Sequence, residues 1–170
     1  LEQNQNEYIL YIILKNKKKN IKKIIKNKNL NYIFINGNKI SKNLYNIKID
    51  YYIHLATHYT QLNDNKNLKK IIKSNIEFPL LVINELDKKF LNKVITIGSM
   101  HEHYKNKDFF PYNLYASSKR SFEMFLEYYK QKYSNINFYN LKFYESYSHD
   151  DKRNKIIPII KQSYHLNKYI

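Results

Sequence analysis

The chain of 170 residues contains only two glycines, Gly37 and Gly98, and no cysteine. Two isolated glycines exclude a glycine-rich phosphate-binding loop within this sequence. The lack of cysteine excludes disulfide bonds and thiolate metal sites. No apolar run reaches the roughly 18 residues that a transmembrane helix needs, and the first residues do not resemble a signal peptide. We therefore expect a cytoplasmic protein without a membrane partner.

Arginine is also scarce, although the net charge is +16. Such a charge is typical of proteins that bind nucleic acids. However, Arg120 and Arg153 are the only arginines, and nucleic-acid readers depend on arginine for bidentate base contacts. The lysines accompany an excess of Asn, Ile and Tyr, which share A/T-rich codons. We interpret the charge as a compositional effect and expect no nucleic-acid partner, while a basic nucleic-acid-binding domain stays open as an alternative function.

What the chain does have is a regular alternation of short β-rich runs with helical segments. Aromatic residues make up 16% of the chain, more than disordered chains carry. The pattern predicts strands over 8–14, 32–35, 50–56, 93–99 and 138–144. Between and after them it predicts a helix or loop over 15–29 and helices over 40–47, 67–86, 113–133 and from 156. This order predicts an α/β fold with a doubly wound parallel sheet, Rossmann-like.

Two details refine the predicted helices. Pro79 lies within 67–86 and should kink or restart that helix, because proline lacks an N–H group. The longest helix, over 113–133, should bury one apolar face made of Leu114, Phe122, Phe125, Leu126 and Tyr129. His54 lies on a predicted strand and is expected in or near the core.

Ligands of doubly wound sheets bind at the carboxyl ends of the strands. The residues that follow the predicted strands are therefore candidates for a site: Lys15, Gly37, Thr57, Ser99 and Tyr144.

The longest predicted helix carries the pair Tyr115 and Lys119. Positions i and i+4 share a helix face, so both side chains can point into one cleft. A nearby ammonium group favours the phenolate and would lower the tyrosine pKa from about 10 toward neutrality. Such a tyrosine can transfer a proton to or from a sugar oxygen. Because Tyr and Lys are abundant here, an exposed helix pair without function would show the same spacing. Ser99, at the end of the preceding strand, adds a third hydroxyl or amine group.

These segments resemble the extended short-chain dehydrogenase/reductases, the NAD-dependent epimerase/dehydratase family. Asp50 to Ala56 (DYYIHLA) is similar to that family's D-x-(V/I)-x-H-L-A strand, and Ser99 with Tyr115 to Lys119 resembles its Ser/Thr, Tyr, Lys triad. Asn75 falls where many members carry Asn. Residues 141–158 resemble the family's LRLxxxYGPxDxRxKxIP stretch. Within the family, the loop Gly98 to Tyr104 looks most like that of reductases and epimerases of CDP-linked 4-keto sugars.

The resemblance implies roles for single residues. Tyr115 would be the general acid/base, Lys119 its pKa modulator and a ligand of the cofactor ribose, and Ser99 the group that orients the substrate. Leu55, Ala56, Thr57 and Tyr144 would line the NAD or NADP cofactor, and Met100, His101 and Glu102 would face the sugar nucleotide. Met100 and His101 stand where the family's 4,6-dehydratases carry Asp-Glu, which favours an epimerase or a 4-keto reductase.

The resemblance also has limits. The family begins with a strand and a G-x-x-G-x-x-G turn, so we expect the fold to lack its first βα unit. Residues 1–145 would form a partial dinucleotide-binding domain, and 146–170 the start of a truncated substrate-binding region. A catalytically inactive relative that acts as a fold or partner surface therefore stays open. The segment 15–17 contains no acid and slightly favours NADP. Family members commonly dimerise through the helices over 67–86 and 113–133, which leaves a homodimer open.

Overall fold

A computed structural model of the chain describes residues 9–15, 30–35, 44, 46–62, 64–144, 146, 159–160 and 163–164. Its strands all pair in parallel. Strand β1 (Leu10–Lys15) pairs with β2 (Leu30–Ile35), and β3 (Tyr51–His54), β4 (Lys93–Ser99) and β5 (Asn137–Phe143) form a second sheet in the order β3-β4-β5. Parallel strands need crossover connections, and helices fill the two crossovers of the second sheet. The predicted Rossmann-like α/β fold is confirmed.

The strand boundaries follow the sequence pattern closely. β4 spans the predicted range, and the other four strands begin or end one to two residues away from it. Ile159 and Ile160 are helical, as expected for the segment that starts at 156. The segment 16–29, the Asn36-Gly37 turn and most of 40–47 lie outside the described residues.

The predicted helix over 67–86 consists of three consecutive segments. These are α1 (Asn65–Ile72), a π-helical turn (Lys73–Glu77) and α2 (Phe78–Glu85). Pro79 occupies the first turn of α2, where its missing N–H group costs little. The expected restart at Pro79 is therefore confirmed, whereas the π turn before it was not predicted. That turn carries Asn75, whose side chain is buried.

The longest helix is α3 (Leu114–Lys132). Asn113 caps its N-terminus, because its Oδ1 atom accepts the Ala116 N–H group at 2.8 Å. It buries Phe122, Leu126 and Tyr129 against the core. The prediction that Phe125 belongs to this face is wrong, because its side chain is 45% exposed. A single step along a helix turns the side chain by about 100°, which carries Phe125 away from the face of Leu126.

None of the helices in the described ranges combines the length and the apolar character that crossing a membrane requires.

Strand β3 has one buried and one exposed face. Tyr52 and His54 point into the core, while Tyr51 and Ile53 are exposed. The His54 ring packs between Phe78 and Phe122, and its Nδ1 atom lies 2.9 Å from the Tyr52 hydroxyl oxygen. The expectation of a core histidine is confirmed. Burial, followed by the charge of Lys119, lowers the pKa of His54 to about 4.

This histidine should make stability fall in mild acid. In the unfolded chain its pKa is about 6.5, so between pH 6.5 and 4 the unfolded state binds a proton that the folded state excludes. Above pH 6.5 the His54 side chain is mostly neutral in both the folded and the unfolded state, so it adds no pH dependence to the unfolding free energy. We expect His54 to cost the native chain about 2 kcal/mol of unfolding free energy between pH 7.5 and 5. Urea titrations of the native chain and His54→Leu at both pH values measure this, and equal losses in the two proteins would contradict it.

Candidate functional site

Helix α3 brings Tyr115 and Lys119 to the end of β4. The Lys119 Nζ atom lies 5.8 Å from the centre of the Tyr115 ring and donates a hydrogen bond of 2.9 Å to the Ile97 carbonyl oxygen. The Lys119 side chain is buried, although lysine is rarely so without a partner. The helix pair predicted from the i, i+4 spacing therefore faces the interior and not the solvent.

The pKa of Tyr115 is raised, not lowered as expected from its neighbour Lys119. Burial of the phenol is the largest cause, because the phenolate loses hydration. A hydrogen bond with the Thr57 hydroxyl lowers the pKa, whereas the charge of Glu102 and the nearby Tyr59 raise it. The Lys119 ammonium is directed to the Ile97 carbonyl, which explains why it does not acidify the phenol. In this arrangement Tyr115 is protonated at neutral pH.

The pKa of Lys119 moves in the opposite direction. Burial lowers it to about 8, and the negative charge of Glu102 counteracts part of this effect. Lys119 therefore remains mostly protonated at neutral pH and loses its charge as the pH rises through about 8.

Asn75 joins the loop after β3 to helix α3. Its Oδ1 atom accepts hydrogen bonds from the His58 N–H group at 2.7 Å and from the Thr57 hydroxyl at 3.2 Å. Its Nδ2 group donates to the His58 carbonyl oxygen at 3.1 Å and to the Ser118 hydroxyl at 2.9 Å. The π turn presents this buried amide to two separate segments. The network thereby sets the position of Thr57 next to Tyr115.

Ser99 is the last residue of β4 and caps the 3₁₀ turn Met100–Glu102. Its hydroxyl oxygen accepts the His101 N–H group at 3.2 Å, and its own N–H group donates to Glu102 Oε1 at 2.6 Å. The side chain is buried and borders a cavity. A hydroxyl group thus stands at the carboxyl end of β4, as predicted.

Glu102 occupies a different place from the one predicted. It was expected to face the sugar, but its side chain is fully buried, and its carboxylate contacts Ser99 and the ammonium group of Lys142. The Ser-x-x-Glu spacing of residues 99–102 is the signature of a capping box and could have predicted this contact. Lys142 was missed as well, because only the register of β5 against β4 brings it there.

A cavity of about 410 Å³ lies at the ends of β4 and β5. Its lining includes Ser99, Met100, His101 and Tyr144, four of the predicted site residues, together with Lys142. Tyr115, Lys119 and Thr57 form the neighbouring group described above. Leu55 and Ala56 are exposed in the loop after β3.

Two histidines near the site have separate structural roles. His54 is a core residue, and His103 Nδ1 contacts the Asp108 carboxylate at 3.4 Å. Within the described ranges, no group of three or more His, Asp or Glu side chains could hold a metal ion.

Comparisons with known proteins agree with the geometry. The model of the NAD dependent epimerase/dehydratase family matches residues 1–170. A search of curated proteins found no significant match. Among solved structures, a UDP-glucuronic acid 4-epimerase from Bacillus cereus, in complex with UDP-glucuronic acid and NAD, shares 17% identity with a TM-score of 0.68. The match covers 88% of this chain and 50% of that one.

Two further solved structures are similar in fold. The UDP-N-acetylglucosamine 4-epimerase from Methanobrevibacter ruminantium M1 has 20% identity and a TM-score of 0.62 over 84% of this chain and 50% of its own. The UDP-glucose 4-epimerase from Thermotoga maritima, with UDP-glucose, has 17% identity and a TM-score of 0.66 over 85% and 52%. The chain thus spans about half the length of these structures. With the family model matched along the whole sequence, the chain belongs to the NAD-dependent epimerase/dehydratase family.

Proposed function

We propose that the enzyme containing this chain is a sugar-nucleotide epimerase that works at C4 of the sugar with NAD as cofactor. The observation that carries the proposal is the pairing of Tyr115 with Lys119 beside the end of β4. Membership of the family and the likeness to UDP-sugar 4-epimerases support the substrate class.

Tyr115 acts on the proton of the reacting hydroxyl group in this proposal. A phenol that is protonated at neutral pH suits the donation of a proton to a C4 keto oxygen. The reverse step, removal of the hydroxyl proton, needs a stabilised phenolate, for which the adjacent Lys119 ammonium and the Thr57 hydroxyl are the available donors. Ser99 would orient the same oxygen from the end of β4. Met100 and His101 border the cavity where the sugar would lie.

The described residues suit the nicotinamide half of the cofactor. Lys119 and Thr57 would hold the ribose hydroxyls, and the exposed backbone of Leu55 and Ala56 would lie along the cofactor, with Tyr144 at its edge. Bound NAD would supply reversible hydride transfer at the sugar carbon. The pyrophosphate half lacks its usual partner, since this sequence has no glycine-rich turn. The chain of 170 residues by itself should therefore bind NAD only very weakly.

The test is an activity assay of the complete enzyme. UDP-glucose and NAD are incubated with it, and the C4 epimer is followed by proton NMR. The proposal expects an epimer that accumulates to equilibrium without net consumption of NAD. Reduction of a 4-keto sugar nucleotide with stoichiometric loss of NADH or NADPH would instead identify a reductase. Absence of both reactions, with UDP-N-acetylglucosamine and UDP-glucuronic acid also inert, would contradict the proposal.

A homodimer is part of the same proposal. Helices α1 and α3 expose apolar side chains at helical spacing, namely Leu68, Ile72, Met124, Phe125 and Tyr128. Exposed apolar side chains on two helices in contact favour an interaction surface, and a self-complementary surface gives a two-fold dimer. Phe125→Lys should shift the sedimentation coefficient from dimer to monomer in analytical ultracentrifugation. Leu62→Lys, at another exposed apolar position, is the control, and equal sedimentation of both variants and the native chain would contradict the dimer.

A further inference from the structure

A buried ion network lies where β4 ends. Glu102 has no solvent exposure, and its two carboxylate oxygens are engaged separately: Oε1 accepts the Ser99 N–H group at 2.6 Å, and Oε2 pairs with the Lys142 ammonium. A buried charge without partners would cost several kcal/mol. Because both oxygens are satisfied, the carboxylate can remain charged inside the protein.

Gly98 leaves the space that the Glu102 carboxylate occupies. A Cβ atom at that position would lie 2.8 Å from Glu102 Oε1 and 2.8 Å from Lys142 Cδ. Such distances are closer than van der Waals contact allows, and neither side chain can move freely, since each is held by the ion pair. Gly98, one of the two glycines of the chain, is thus required because the Glu102 and Lys142 side chains approach its Cα atom closely and fill the space above it.

The network continues to the helix that carries the proposed catalytic residues. Lys142 Nζ also lies 2.8 Å from Glu123 Oε2 on α3, and Glu123 pairs with Arg120. The end of β4, strand β5 and helix α3 are therefore tied together by one set of charges. Lys119 lies on the same helix, and the negative charge of Glu102 raises its pKa.

We propose that Glu102 is a positioning residue for the Tyr115–Lys119 pair: its carboxylate, which lies over Gly98, fixes Ser99 at the end of β4, is linked through Lys142 to the helix that carries the pair, and acts with its negative charge on the Lys119 ammonium. The importance of this positioning role for catalysis rests on the proposed function. The role differs from the substrate contact expected from the sequence, because the carboxylate is fully buried between Ser99 and Lys142.

The electrostatics of Lys119 support this role. Burial lowers the pKa of Lys119 to about 8, and Glu102 is the charge that raises it. Among the described residues, Tyr115 and His54 also interact with Lys119, and both are neutral at neutral pH. Without the Glu102 charge, the lysine would be deprotonated at a lower pH.

The test measures the titration of Lys119 directly in the 170-residue chain. The protein is labelled with ¹³Cε-lysine, its NMR signals are followed from pH 6 to 11, and the Lys119 signal is assigned by its loss in Lys119→Arg. In Glu102→Gln the amide oxygen still accepts the Ser99 N–H group but carries no charge, so the Lys119 midpoint should fall below the native value of about 8. Glu127→Gln, at an exposed ion pair of the same helix, should leave the midpoint unchanged.

A second variant should shift the Lys119 midpoint in the opposite direction. Lys142→Met removes the cation that compensates Glu102, so the Lys119 midpoint should rise above the native value. If Glu102→Gln fails to fold, the midpoint measured in Lys142→Met alone tests the inference. An unchanged midpoint in either folded variant would overturn the inference. Since the titration needs neither cofactor nor substrate, a shifted midpoint in a protein without epimerase activity would retain the electrostatic role and reject only the proposed function.

Discussion

Replacement of Tyr115 by phenylalanine is expected to lower the turnover of the complete enzyme by about 10²- to 10⁴-fold, the usual contribution of a general acid/base. The change removes only the hydroxyl group. The ring keeps its edge contact with Tyr59, whose centroid is 5.1 Å away, so the site should keep its shape. NAD binding should be nearly unchanged, because Lys119 and the loop after β3 are untouched. Steady-state kinetics and calorimetry with NAD measure the two effects separately.

Tyr128→Phe provides a matched control. Tyr128 lies on the same helix but is exposed, so loss of its hydroxyl group should leave turnover within a factor of about two, as for surface substitutions in general. Near-native turnover of Tyr115→Phe would refute the catalytic assignment. A loss of NAD binding equal to the loss of turnover would show that Tyr115 serves binding instead.

Asn75→Ala should produce the second large effect, a loss of about 2–4 kcal/mol in unfolding free energy, which is typical when a buried hydrogen-bond network is broken. The amide makes four hydrogen bonds, two of them to the backbone of His58. Alanine would remove the partner of the His58 N–H and carbonyl groups in a part-buried setting. Chemical denaturation at pH 7.5 measures the change.

The control for this prediction is Asn92→Ala. Asn92 is exposed, and its amide makes one long contact of 3.5 Å with Asp50, so its loss should cost within about 0.5 kcal/mol. In the complete enzyme, Asn75→Ala should also lower turnover, because Thr57 loses the bond that holds it near Tyr115. Equal stability of the two variants would mean that the loop after β3 does not depend on Asn75.

Much of the fold could be predicted because its signals are local. β4 combines a β-branched apolar run with a Gly-Ser end, and its predicted and observed bounds coincide. Helix α3 has a capping Asn113 and an amphipathic pattern over five turns, so its existence and the place of Tyr115 and Lys119 on one of its faces could be derived from the sequence. Pro79 likewise located the start of α2.

The rest depends on contacts between distant segments. The predicted fall in the pKa of Tyr115 assumed that Lys119 faces the phenol, whereas the ammonium bonds to a carbonyl of β4 and burial dominates. Glu102 was assigned to the substrate from the family resemblance, but the register of β5 brings Lys142 to it. Neither the direction of a side chain nor the depth of burial follows from spacing along the chain.

The most direct test of the central claim follows the hydrogen on the reacting carbon. The claim is that Tyr115 moves only the proton of the C4 hydroxyl group, while the carbon-bound hydrogen moves as a hydride to and from NAD. The complete enzyme is given UDP-glucose deuterated at C4 in ordinary water, with NAD, and the epimer is examined by NMR and mass spectrometry. We expect an epimer that retains deuterium at C4; an epimer in which that deuterium has been replaced by hydrogen from water would contradict hydride transfer.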